Sequence, residues 1–256
     1  MAQGAMRMAS QVMGCFGVLR DDTRMSNYLF HNHRGSILVN VEGSDFLLDT
    51  GTPFSVADNP IRIAGVTFPA ETCYLGIDGL TLSEQLGTLI DGLIGTDILR
   101  HFNLAVYASE GLVQFSQLPA AGEIVVPVAE HSGMPVIALR VGGRVCRMFL
   151  DTGTGLSLLL PELLSGITPV GSTNAWYPLV GSYNTPFHRL ETTFGDRTQS
   201  MLFGVVPEVL RSIMVTADMH GMIGTELLKF YGLNLSLRDR VIRLEAVHGN
   251  QQFQSA

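Results

Sequence analysis

The string Asp-Thr-Gly-Thr occurs twice, at residues 49–52 and again at residues 151–154. Each copy closes an apolar run, "FLL" at 46–48 and "MFL" at 148–150. Burying such a run carries an acid with it, which is unfavourable unless the carboxylate is paired or hydrogen-bonded. A given four-residue string is expected by chance in about one chain in a hundred of this size, or fewer. The surroundings repeat too. "GSILVNVEGSDFLLDTGTPFS" (35–55) and "MPVIALRVGGRVCRMFLDTGTGLS" (134–157) both read as an alternating strand, a glycine turn, and a second strand ending at the acid.

A second pair of matching stretches follows. "DGLIGTDILRHFNLAVYASEGLVQF" (91–115) and "GMIGTELLKFYGLNLSLRDRVIRL" (221–244) share Ile-Gly-Thr-acid, then a short helix, a strand, a polar turn and a strand. Thr96 and Thr225 are expected as helix N-caps, with Asp97 and Glu226 in the favourable first turn. Pro and Gly in "SQLPAAGEIVVP" (116–127) mark the boundary between halves. The expected organisation is an N-terminal arm or strand over 1–30, a first lobe over 31–119, a second over 120–248, and a tail over 249–256. From Asp49 to Gly95 is 46 residues and from Asp151 to Gly224 is 73, so the second half carries 27 extra residues in its middle.

Composition agrees with a folded β protein. Of 256 residues, 46% are hydrophobic and 15% charged, and 28 glycines supply many turns. A net charge of −7 without any run of Lys or Arg argues against nucleic-acid binding. Cys15, Cys73 and Cys146 are too widely spaced for a zinc site and too few for a disulfide framework. His31 and His33 have no further ligand cluster nearby, so no metal is expected. No apolar stretch reaches the roughly 18 residues of a membrane span. The sequence as it stands points to the cytoplasm, and a removed export signal would point to a secreted or periplasmic protein. A self-cleaved propeptide at the Met-rich start is a further reading with no residue to support it.

Two lobes related by a pseudo-twofold axis bring equivalent points face to face only at that axis. Asp49 and Asp151 are expected to meet there. Two adjacent carboxylates cannot both ionise easily, so the pair holds one shared proton. The ionised member then takes a proton from water while the neutral one donates to a carbonyl oxygen. Gly51 and Gly153 let backbone approach closely. Thr50 and Thr152 offer hydroxyls to tie the corners together. Thr52 and Thr154 offer hydroxyls to the carboxylates, which lowers their pKa and predicts an acidic pH optimum.

The doubled Asp-Thr-Gly-Thr, with Leu93-Ile94-Gly95 and Met222-Ile223-Gly224 downstream, resembles the pepsin-like and retropepsin-like aspartic peptidases over roughly residues 33–246. The resemblance implies an all-β, two-lobed fold, each lobe a small β-barrel with one short helix. It implies an aspartic endopeptidase with Asp49 and Asp151 catalytic, an extended polypeptide as substrate, and no cofactor or metal. Both aspartates lie in one chain, so a monomer is expected to suffice. The alternative is a catalytically inactive peptide-binding or scaffold module on the same fold. An enzyme that trims one specific protein, or its own N-terminus, is a third reading.

The sequence departs from the pepsin-like pattern in its flap. The first-half middle is too short for a full flap hairpin, and "GLTLSEQLGTLI" (79–90) reads as a short helix or turn. The spare residues lie in the second half. A strand is expected near 175–180, a tip at 181–184 and a return from 188 to 193, so the flap would come from the second lobe. Tyr183 or Tyr177 would be its aromatic. The competing reading is an ordinary surface hairpin with Trp176 packed in the core.

Overall fold

The computed structural model describes residues 25–119 and 121–247. The expected arm up to residue 24, including Cys15 and any propeptide, residue 248 at the end of the expected second lobe, and the tail 249–256 lie outside these residues.

Alternating apolar sequence makes strands, and paired turns make them hairpins. In the first half Ser36–Val41 pairs with Ser44–Leu48; in the second Met134–Val141 pairs with Arg144–Leu150. The connections Glu42-Gly43 and Gly142-Gly143 both hold two successive positive φ angles, 53° and 94° in one and 54° and 81° in the other. That is the two-residue turn whose twist suits a hairpin.

Each hairpin then joins a three-stranded arrangement around its acid. The strand entering Asp49 runs parallel beside Gly92–Ile94, whose other edge pairs antiparallel with Val56–Ala57. The strand entering Asp151 runs parallel beside Gly221–Ile223, which also pairs with Ser157–Leu159. The Ile-Gly segments are thus the inner strands that brace each acid corner from behind.

The halves are sewn together by a six-stranded antiparallel sheet. Met25–His33, Leu112–Ser116 and Asn103–Tyr107 come from one side; Tyr231–Ser236, Val241–Ala246 and Ile124–His131 come from the other. Its centre is the pairing of two equivalent strands, with Leu104 opposite Leu235 and Ala105 opposite Asn234. The pseudo-twofold axis passes between them. Leu104, Val106, Phe115, Leu233, Leu235 and Leu244 from this sheet belong to one continuous core that extends into both lobes. The fold is all-β and two-lobed, as the duplication predicts.

Local details refine the sequence reading. "GLTLSEQL" is a helix, Gly79–Leu86, capped by Asp78 and stopped by the left-handed Gly87. Thr96 and Thr225 are not N-caps. The cap positions are Gly95 and Gly224, and the threonines follow in the first turn. The reason is space: a Cβ on Gly95 would fall 2.7 Å from the Phe54 carbonyl, so no side chain fits there. The threonine hydroxyls turn inward, Thr96 donating to Thr52 O and Thr225 to Gly35 O.

The extra residues of the second half form the hairpin Gly171–Tyr177 with Gly181–Phe194, and the helix Glu208–Thr216. The hairpin tip differs from expectation. Tyr177 pairs with Gly181, so the tip is Pro178-Leu179-Val180, ahead of the expected 181–184. Gly181, at φ 75°, is the residue that closes the turn rather than its apex.

Candidate active site

The two acid corners meet at the pseudo-axis. Backbone sets their position: Asp49 N–H donates to Ile94 O at 3.0 Å, and Asp151 N–H to Ile223 O at 2.9 Å. Thr50 and Thr152 then cross-link the lobes. The Thr50 amide donates to Thr152 Oγ1 at 3.1 Å and the Thr152 amide to Thr50 Oγ1 at 3.0 Å. Each hydroxyl donates in turn across the axis, Thr50 to Leu150 O and Thr152 to Leu48 O, both at 2.7 Å. All four donors are buried and satisfied, which makes the junction rigid.

The glycines are required by contact. A Cβ on Gly51 would collide with the Asp151 carboxyl group, and one on Gly153 would lie 2.6 Å from the carboxyl carbon of Asp49. Each corner's glycine is the floor under the opposite carboxyl. Each also donates its amide to its own aspartate, Gly51 to Asp49 at 2.8 Å and Gly153 to Asp151 at 2.9 Å.

The two carboxyls adjoin, each 2% exposed, and they are not equivalent. Burial raises both pKa values. Asp49 is also held down by the Thr52 hydroxyl, at 2.9 Å, and by the Gly51 amide. The Thr154 hydroxyl, expected on Asp151, instead faces Leu156 O at 3.4 Å. Asp151 is pushed well above the ordinary carboxylate value, by burial first and by the charge of Asp49 second, with the Gly153 amide and the Tyr177 phenol acting against the rise. The donors around the two carboxyls thus differ: the Thr52 hydroxyl reaches Asp49, and the Thr154 hydroxyl does not reach Asp151.

Tyr177 and Tyr183, the two candidates for a flap aromatic, both lie near Asp151. The Tyr177 phenol stands beside that carboxyl, and burial raises its pKa well above the ordinary value. Tyr183, on the returning strand, has a buried hydroxyl without a hydrogen-bond partner and a pKa pushed up to about 12, by burial first and by Asp151 second. The hairpin is anchored across the cleft. Trp176 is 4% exposed and packs with Leu38, Leu47, Leu82 and Leu93 of the first lobe. Core-packed Trp176 and a hairpin over the acid pair are thus one arrangement, not alternatives.

Two hollows adjoin the hairpin 171–194, and the first of them reaches Asp151. One, about 280 Å³, is apolar, lined by Ile77, Leu93, Met134, Phe149, Met214 and Met222 under the tip residues Pro178 and Leu179. The other, about 420 Å³, lies beyond the hairpin's inner strands and holds Arg34, Glu226 and Lys229. Sequence alone does not bring Glu226 and Trp176 together, because only the third dimension places them on one hollow beside the hairpin. Among the described residues no group of three His, Cys, Asp or Glu side chains is placed to hold a metal, and no helix is long and apolar enough to cross a membrane.

No protein-family model matches this chain, and no curated protein matches its sequence. Solved structures do. The aspartic proteinase from Irpex lacteus superposes with a TM-score of 0.51 at 12% identity, covering 89% of this chain and 98% of that one. At that identity the likeness is one of fold: this chain has the two-lobed, all-β architecture of an aspartic proteinase.

Proposed function

We propose that the chain is an aspartic endopeptidase whose catalytic pair is Asp49 and Asp151. The observation that carries this reading is the buried, adjoining pair of carboxyls, made unequal by Thr52, at the junction of two lobes. A structural role alone gives no reason to bury two acids together, since doing so is costly.

In this reading a polypeptide lies extended in the cleft beneath the hairpin 171–194. Asp49 takes a proton from a water molecule, whose oxygen attacks the peptide carbonyl carbon. Asp151 gives its proton to the carbonyl oxygen. Collapse of the tetrahedral intermediate breaks the C–N bond, the proton held by Asp49 passes to the leaving nitrogen, and Asp151 recovers a proton from the gem-diol. One proton leaves and one returns at each carboxyl. The Gly51 amide and Thr52 hydroxyl steady Asp49 while ionised. The Thr50–Thr152 network fixes the carboxyl separation, and one chain supplies both acids, so a monomer is sufficient.

The pH dependence follows from the single shared proton. Activity requires Asp49 ionised and Asp151 protonated, giving a bell-shaped profile. Because burial lifts both groups, the bell sits above that of two exposed carboxylates.

The test is cleavage of an unfolded protein across pH, in the native chain and in Asp49→Asn and Asp151→Asn, with a statine-type hydroxyl inhibitor as a second probe. Loss in both variants together with tight inhibitor binding supports the reading. Equal cleavage in all three proteins would assign the activity to a contaminant. A native chain that binds peptides but cleaves none would leave a binding module on this fold.

A further inference from the structure

The pseudo-symmetry draws attention to one acid that breaks it. Asp97 and Glu226 occupy matching places after the Ile-Gly-Thr segments. Asp97 is used internally: its Oδ1 accepts from the Ser55 hydroxyl at 2.6 Å and from the Ile98 amide at 2.9 Å. Glu226 is one methylene longer and leaves its serine counterpart, Ser157, to accept from Gly224 N–H alone. It reaches instead to the strand Arg197–Val205, where Oε1 accepts from the Leu202 amide at 3.0 Å. Its Oε2 is buried and has no hydrogen-bond partner, and the residue is 5% exposed. An unpartnered buried carboxyl oxygen is costly and calls for an explanation.

Its surroundings supply one. Glu226 lines the polar hollow together with Arg34, Lys229, Asn174 and Ser182. Arg34 and Lys229 are exposed at the rim, and Arg189 and Lys229 lie close enough to act on Glu226 electrostatically. Two rim cations outweigh one carboxyl, so the charged residues lining the hollow sum to a net positive charge whether Glu226 is ionised or protonated. The other hollow is apolar and carries no charge beyond Asp151. Both hollows border the hairpin 171–194, the apolar one at Tyr177, Pro178 and Leu179 and the polar one at Asn174, Trp176 and Ser182, so a chain passing along the hairpin meets opposite chemistries at its two ends.

We propose that the polar hollow is a specificity subsite for an acidic side chain of the polypeptide substrate, read by Glu226 with Arg34 and Lys229. This rests on the peptidase reading and names its substrate class. Oε1 of Glu226 keeps the Leu202 amide, and the unpartnered Oε2, when protonated, donates its O–H to the incoming carboxylate. The rim cations hold the shared charge. The substrate segment therefore pairs a bulky apolar residue on one side of the cut with Glu or Asp on the other.

The experiment uses the full chain and peptides carrying one bulky apolar residue and one variable residue, Glu, Gln or Lys, on opposite sides of the cleaved bond, in both orders. Glu is expected to exceed Lys in kcat/KM by at least about tenfold, as a site built for one polar group rejects its mismatch. Lys229→Glu, on the exposed rim, should cancel or reverse that preference. Glu226→Gln should keep it, since the amide still donates, and Glu226→Leu should lose it. A parallel arm measures binding of the same peptides, with the scissile amide reduced, to Asp49→Asn. Cleavage without any Glu preference overturns the subsite and spares the peptidase. A Glu preference in binding with no cleavage by the native chain spares the subsite and overturns the peptidase. Neither cleavage nor binding overturns both.

Discussion

Replacing Asp151 by Asn should abolish the proposed activity and at the same time stabilise the fold, because a carboxyl buried beside a second carboxyl is strained at neutral pH. Its folded pKa is raised, first by burial and next by the charge of Asp49. A group raised in the folded state contributes stability that is fully present below its unfolded pKa and is lost as pH rises through the folded value. Near pH 7 the native chain therefore bears a cost of about 1.4 kcal/mol for every tenfold gain in the proton affinity of Asp151 on folding. Asn removes it. Its side chain is neutral at every pH, keeps the oxygen that accepts the Gly153 amide, and offers an N–H to Asp49 in place of the lost proton. The variant should therefore be more stable than the native chain at pH 7, with a higher Tm. The gain should fade at a pH low enough to protonate Asp151 in both folded and unfolded chains. The assay is thermal unfolding of the native chain and variant from about pH 3 to pH 8, alongside peptide cleavage, where kcat should fall by about 10²–10⁴ or more. A variant less stable than the native chain by the same amount at all pH values would refute the shared-proton reasoning. Undiminished cleavage would refute the role of Asp151.

Thr52→Val removes the hydroxyl that holds Asp49 down, so the acid limb of the pH–rate profile should move up; Thr154→Val, whose native hydroxyl faces Leu156 O, should leave that limb in place. Thr50→Val strips two bonds from the lobe junction and leaves the buried Thr152 amide without an acceptor. Denaturant unfolding should show a loss of about 1–3 kcal/mol or more. Trp176→Ala empties a place in the first-lobe cluster at a cost of about 3–5 kcal/mol if the hairpin stays docked. Undocking is the cheaper response, so limited proteolysis should cut within 171–194 faster than elsewhere, and an unchanged pattern would contradict the anchoring.

How much of this is written locally in the sequence depends on how far each contact reaches. The acid corners are legible because each lies in one short run, and duplication shows that two runs share one plan. The bracing by Ile94 and Ile223 is legible for the same reason. Identical letters do not guarantee identical roles. Thr52 and Thr154 share their motif, yet Pro53 follows one and Gly155 the other, and Gly155 packs so closely on Gly35 that a Cβ would lie 2.7 Å from its Cα. The hairpin is announced by a surplus of residues, but its tip is misplaced by sequence reasoning because Gly181 marks the end of a three-residue connection rather than its middle. Trp176 and Glu226 lie beyond local reach. Each owes its place to pairing with the opposite lobe or a distant strand, Trp176 with Leu38 and Leu93 and Glu226 with Leu202. Symmetry is the tool that recovers such residues: once Asp97 and Glu226 are aligned, the satisfied acid of the first lobe makes the unsatisfied one of the second a departure that demands a cause. The same comparison separates Asp49 from Asp151. A duplicated fold can do asymmetric chemistry because its lobes agree on backbone and differ in a few donors, here the one hydroxyl that reaches Asp49 and the one that does not reach Asp151.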